Sequence, residues 1–149
     1  MNAAVRIRIA RAEDVGVLAA LMTDLGYPSS VEDMGQRFEG ISADPSYATL
    51  VAEREGVVLG TIGLHLEHFY EHDYPCARIM AFVVASEHRG QGVGWALISA
   101  AEDWARQRGA GDVMLTTHKR RTGAHRFYRK MGYEATGYRF YKSLVNDNR

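Results

Sequence analysis

Apolar residues recur along this chain with two alternating periods, and the order of those periods outlines a mixed α/β protein. Val5, Ile7 and Ile9 alternate with Arg6 and Arg8, the period of a half-buried strand. From Asp14 the spacing changes, and Val15, Leu18, Ala19, Leu21, Met22 and Leu25 share one side of a helix that Gly26 and Pro28 end. Ser30, with Asp33 three residues on, forms a capping-box pattern for a second helix through Met34, Phe38 and Ile41, stopped near Asp44-Pro45. The apolar face of that helix is narrow, which predicts a mobile, lid-like element. Tyr47 to Glu53 and Val57 to His68 flank Glu55-Gly56 as an antiparallel hairpin. Arg78 to Ala85 is nearly unbroken in apolar character, as expected of a central strand buried on both faces.

The second half of the chain continues the alternation. Gly92 to Arg108 carries Ala96, Leu97, Ala100, Ala101, Trp104 and Ala105 on one side of a long helix, and Gly109 terminates it. Asp112 to Thr117 reads as a strand, Thr122 to Met131 as a short helix closed by Gly132, and Tyr133 to Leu144 as two returning strands. Trp95, Trp104 and the methionines at helical spacing read as core or interface residues. The order β-α-α-β-β-β-α-β-α-β-β predicts an α/β fold, one mixed sheet with helices on both faces. With 149 residues, 46% of them hydrophobic, residues 1–149 fit a single domain around one core.

Charge narrows the partners. Lys plus Arg and Asp plus Glu balance at 18 each, so no global field draws the protein to nucleic acid or to an acidic membrane surface. The local basic cluster of Lys119, Arg120, Arg121, Arg126, Arg129 and Lys130 lacks a recognition-helix pattern and is read as phosphate contacts and solvated surface. The single cysteine, Cys76, cannot form an internal disulfide and has no nucleophile signature around it. No stretch approaches the roughly 20 apolar residues that cross a bilayer, and the N-terminus has no apolar run of signal length. A soluble, cytoplasmic protein is expected.

The chemistry concentrates at the run Val83 to Gly94, Val-Val-Ala-Ser-Glu-His-Arg-Gly-Gln-Gly-Val-Gly, which passes from strand to helix through glycines. Gly90, Gly92 and Gly94 leave room for a phosphate at the backbone N–H groups, and the positive end of the following helix faces the same spot. A nucleotide-hydrolase loop would need Gly-Lys followed by Ser or Thr, whereas Gly94 is followed by Trp95 and Ala96. The dinucleotide fingerprint fails as well, because Trp95 and Leu97 stand where its third glycine would fall. What remains is Arg89-x-x-Gly92-x-Gly94, which resembles the acetyl-coenzyme A pyrophosphate loop of the GNAT family of N-acetyltransferases. A second motif, Ala124-His125-Arg126-Phe127-Tyr128-Arg129-Lys130-Met131-Gly132-Tyr133, resembles that family's acetyl-transfer helix.

The resemblance spans nearly the whole chain. His65-Leu66, Ala124 to Tyr128 and Arg139-Phe140 look most like the aminoalkylphosphonate N-acetyltransferase branch. It implies a mostly antiparallel sheet of about seven strands with about four helices. It also implies acetyl-coenzyme A bound by Phe82, Val83, Val84, Arg89, Gly90, Gln91, Gly92, Val93, Gly94, His125, Phe127 and Tyr128, and a homodimer. Tyr128 falls at the family's catalytic tyrosine, which meets the thioester sulfur. The carbonyl-polarising N–H is implied near Val83 or Val84, at a strand bulge. Two positions depart from the pattern: Ala81 stands where a carboxylate is often found, and Arg121 replaces a common asparagine.

Acetyl transfer to an amine requires a neutral amine, a polarised carbonyl and a proton for the departing thiolate. Deprotonating an alkyl ammonium of pKa about 10.4 costs roughly 4.6 kcal/mol at pH 7. With Ala81 excluded, the base is one of His65, Glu67, His68, Glu71, His72, Asp73 and Glu87, or a water chain. His65, Glu67, His68 and Tyr138 are the candidate contacts to a small-molecule amine. The interleaved His and acidic residues lack the spacing of a metal site, and a divalent ion holding an anionic substrate is a minor alternative. A protein N-terminal or lysine acetyltransferase and a coenzyme-binding module without turnover are the rival functions.

Overall fold

A computed structural model describes residues 4–145. The elements follow the order β1 (Arg6–Ile9), α1 (Val15–Leu25), α2 (Val31–Ser42), β2 (Tyr47–Arg54), β3 (Val57–Glu67), β4 (Cys76–Val84), α3 (Val93–Gln107), β5 (Asp112–Leu115) and α4 (Thr122–Lys130), with single 3-10 turns at Ala12–Asp14 and Ser86–His88. The chain divides into two compact units, residues 1–115 and residues 116–149.

The first unit carries a five-stranded sheet in the order β1-β2-β3-β4-β5. The first three pairings are antiparallel, and only β4 with β5 is parallel. Neighbouring residues of β2 show how both faces are used, since successive side chains of a strand point opposite ways. Val51 is buried with Leu18 and Ala19 of α1 and Met34 and Phe38 of α2. Leu50 lines the other face with Ala100 and Trp104 of α3. α1 ends at Gly26, whose N–H bonds the Thr23 carbonyl while Tyr27 N–H reaches back to Met22, a Schellman closure. α2 starts as expected, the Ser30 side chain accepting from Asp33 N–H at 3.0 Å.

Four expectations are corrected. α2 is docked on the core through Met34 and Phe38 instead of standing off as a lid, because two large residues four apart suffice to anchor three turns. β4 is not buried on both faces: Met80 is 52% exposed. The buried stripe of α3 is Val93, Leu97, Ile98, Ala101 and Ala105, with Trp95 turned out to solvent. Among the described residues there are five strands, not about seven, since 133–145 form none. Their alternating aromatic residues resemble a strand, but Tyr138, Phe140, Tyr141 and Leu144 are exposed, and a pattern becomes a strand only where a neighbour offers a ladder. The last residues of the chain lie outside the described range.

Candidate active site

Sequence order brings the phosphate cradle to the C-terminal end of β4. Ala85 N–H bonds the Leu59 carbonyl at 2.8 Å, which fixes the phase of the β3–β4 ladder and makes Val84, opposite Gly60, a pair without mutual hydrogen bonds. Val84 therefore turns its main-chain groups away from β3, and its carbonyl accepts from Arg89 Nε at 3.2 Å. The strands approach closely here: a Cβ on Gly60 would lie 2.8 Å from the Val83 carbonyl oxygen, so only glycine fits.

The loop itself is held from both flanks. Asp24, at the end of α1, accepts from Ser86 N–H at 3.2 Å and lies 3.8 Å from the Arg89 guanidinium. Arg54, at the end of β2, donates to the Gln91 side chain at 2.9 Å. Gly90 and Gly92 have φ of 76° and 84°, the left-handed region that other residues avoid. Space beside both is open, since an added Cβ would meet nothing within 4 Å. Gly92 caps α3 without a side-chain hydrogen bond, and the first turn contains no acid. Its N–H groups are thus left for an anion, with the helix dipole in support. A groove of about 390 Å³ runs from this loop at Ala85–Glu87 to Val17, Ala20 and Asp24 of α1.

A second feature lies four residues back along β4. The register passes from Gly63↔Ala81 to Leu64↔Ile79, leaving Met80 as an extra, bulged residue. The parallel ladder to β5 ends at Ile79↔Leu115, while β4 runs on to Val84. Beyond that point β4 continues without β5, which ends at Leu115. The bulge implied near Val83 and Val84 is thus corrected to Met80, about 13 Å from Val84 at 3.3 Å per residue.

Beside the end of the parallel ladder sits a polar cluster. His65 pairs with Tyr47 on one side and Arg78 on the other, and the Tyr47 and His65 rings lie 4.2 Å apart. Glu67, two residues on and on the same face, accepts from Arg78 Nε at 2.9 Å and lies 3.4 Å from His65 Nδ1. Burial opposes the charge on Glu67, but Arg78 and His65 outweigh it and hold the carboxyl below its ordinary range. The fold thus brings His65 and Glu67 together with Arg78 and Tyr47, which sequence reasoning missed because cross-strand partners depend on register. His68 falls just past β3 and is exposed. Glu87 is exposed, and its own N–H and the Ser86 hydroxyl keep its carboxyl below the usual range, a disadvantage for a base. Burial and Asp112 push the Cys76 thiol up to about 12, so no thiolate is available near neutrality. Among the described residues no three His, Cys, Asp or Glu side chains are grouped to hold a metal.

In the second unit, α4 carries His125, Phe127 and Tyr128. His125 Nε2 lies 2.9 Å from the His118 carbonyl, tying the helix to the loop before it. The helix closes as α1 does: Tyr133 N–H bonds the Tyr128 carbonyl at 2.9 Å and Gly132 N–H the Arg129 carbonyl. The Tyr128 ring meets Phe127 and Tyr133 edge-on, at 5.6 and 6.1 Å. Burial raises the phenol above its ordinary value, with Arg121 opposing. Tyr138 is 87% exposed on a segment without regular structure.

Residues 15–133 match the model of the acetyltransferase (GNAT) family. The chain is 36% identical over 141 residues to the aminoalkylphosphonate N-acetyltransferase of Salmonella typhimurium, covering 93% of this chain and 90% of that one. Among solved structures it superposes on a GNAT family acetyltransferase of Staphylococcus aureus with a TM-score of 0.82 at 27% identity, over 97% and 100% of the two chains. A structure described as a transcriptional regulator from Bacillus halodurans gives 0.87 at 27% identity, over 95% and 100%. The chain therefore belongs to the GNAT family and is an enzyme of the N-acetyltransferase class.

Proposed function

We propose that residues 1–149 form one catalytic domain that moves an acetyl group from acetyl-coenzyme A to the primary amine of a small molecule by direct attack in a ternary complex. The observation that carries this reading is the lysine-free main-chain cradle, with positive φ at Gly90 and Gly92 opening onto the uncapped start of α3. Arg89 and the N–H groups of Gly90 to Gly94 receive the pyrophosphate, with Gln91 and Val93 completing the turn. The thioester arm runs along Phe82, Val83 and Val84 to the end of the parallel ladder, where the bulge at Met80 frees main-chain groups to polarise the carbonyl.

Tyr128 is the proton donor to the leaving sulfur, with His125 and Phe127 framing it. Its raised pKa keeps the phenol protonated at neutral pH. The same shift makes full proton transfer to a thiolate of pKa about 8.5 uphill, so Tyr128 acts chiefly as a hydrogen-bond donor to developing charge. Cys76 forms no acetyl-enzyme, because its thiol stays protonated. The acceptor amine meets His65, Glu67, His68 and Tyr138. An aminoalkylphosphonate is the first acceptor to try, on the strength of the Salmonella relative. The enzyme works in the cytoplasm as a homodimer; a single monomeric species in sedimentation equilibrium at micromolar concentration would reject the dimer.

The test is a panel of aminoalkylphosphonates, polyamines, aminoglycosides and amino acids, followed by release of free coenzyme A thiol. Release with a particular amine, lost in Tyr128→Phe, supports the reading. No release with any amine moves the chain to a coenzyme-binding module, and acetylation of peptides alone moves it to a protein acetyltransferase.

A further inference from the structure

We infer that His65 is the general base that deprotonates the attacking amine, and that Glu67, itself held by Arg78, positions it. The inference rests on the acetyl-transfer reading above and adds the base, which that reading leaves open. Three observations meet at one place. The parallel ladder ends at Ile79↔Leu115, where β5 stops and β4 runs on to Val84. The bulge at Met80 follows directly on Ile79. His65 lies one strand away, opposite Arg78 and next to Leu64, which pairs with Ile79. An extended arm anchored at the Gly90–Gly92 cradle and laid back along β4 brings its reactive end towards this bulge, beside His65 and far from Glu87.

The cluster has the layout of an oriented base. With its proton on Nδ1, His65 donates to Glu67 Oε1 across 3.4 Å and keeps a lone pair on Nε2, which has no partner among the described residues. The Tyr47 ring at 4.2 Å limits imidazole rotation. Arg78 fixes the carboxylate through a 2.9 Å bond, and the side chains of His65 and Glu67 are each 23% exposed, shielded yet within reach of a small molecule. Asp44, in the turn before β2, also interacts electrostatically with the imidazole. Glu67, kept below its usual carboxylate range, is a weak base and suits an orienting role.

The protons balance. An ammonium R–NH3+ gives one proton to His65 Nε2, which passes it to solvent. The neutral nitrogen forms the N–C bond, the C–S bond breaks, and the second proton lost from nitrogen is matched by the one gained at sulfur.

Kinetics of the full-length enzyme with acetyl-coenzyme A and the best amine of the panel test this. His65→Ala is expected to lower kcat about 100-fold or more, with the KM for acetyl-coenzyme A little changed and kcat partly restored by added imidazole. Glu67→Gln is expected to give a smaller loss in kcat that imidazole does not repair, since the ring is still present. His65→Gln serves if His65→Ala melts below the assay temperature. Turnover within about threefold of wild type in a folded His65 variant overturns the inference while leaving the acetyltransferase reading intact. So does a low kcat that imidazole leaves unmoved. If the wild-type enzyme turns over no amine, the acetyl-transfer reading fails, and the base with it.

Discussion

Single side chains divide here into those whose proposed role follows from a family motif and those whose role depends on a partner far away in sequence. Tyr128 belongs to the first group. Tyr128→Phe removes one hydroxyl and no packing, so kcat should fall about 100-fold while the KM for acetyl-coenzyme A stays within about threefold, as initial-rate kinetics would reveal. Asp14 belongs to the second. It accepts two bonds from Arg8, at 2.8 and 2.9 Å, and one from Arg11 N–H at 2.7 Å, while Arg8 also holds Glu53 at 2.7 Å. The hydrogen bond from Arg8 holds the Asp14 carboxyl below its ordinary range despite burial. A depressed carboxyl contributes stability that is present above its unfolded pKa of about 3.9 and disappears as pH falls through the folded value. Asp14→Ala should therefore destabilise by about 3 kcal/mol in urea unfolding at pH 7, and the gap to wild type should close below about pH 4. In the sequence Asp14 reads only as a helix start, because its partner Arg8 sits on the polar side of a strand that reads as half-buried.

Elements were legible where their signals are local. The starts of α2 and α3 follow from Ser30 and Gly92, and the ends of α1, α3 and α4 from Gly26, Gly109 and Gly132, since caps act within four residues. Strand register is not local. The bulge at Met80 depends on how β4 meets β3, and no residue type in Arg78 to Ala85 marks it. Hence the cradle could be read from the chain, while the cluster around His65 emerged only once strands were paired. The cradle's conformation gives an element-scale prediction. Alanine at position 92 must hold φ near 84° at a strain of about 1–2 kcal/mol, or let the turn relax. Nothing crowds the site, so the expected outcome of Gly92→Ala is relaxation. The KM for acetyl-coenzyme A should rise about tenfold with only a small change in melting temperature. An unchanged KM would show that the N–H groups at this turn do not receive the donor.

At the scale of the molecule, stability and chemistry are unevenly distributed. Among the described residues every buried side chain, from Ala10 to Ala105, belongs to the first unit, as do all five strands. Among the described residues the second unit holds α4 and its catalytic candidate but no fully buried side chain. Cooperative unfolding is therefore carried by residues up to 115, since a segment with few buried apolar groups sits at the low end of local stability. Lys119, Arg120 and Arg121, before α4, and Arg139 and Lys142, after it, are exposed and lie outside regular elements. Limited trypsin digestion of the whole protein should cut first at these positions and leave a fragment ending near Lys119. That fragment should keep the melting transition while losing acetyl transfer together with Tyr128. Early cleavage within α1, α2 or α3, or loss of the melting transition on removal of the second unit, would show instead that the C-terminal residues are an integral part of the core.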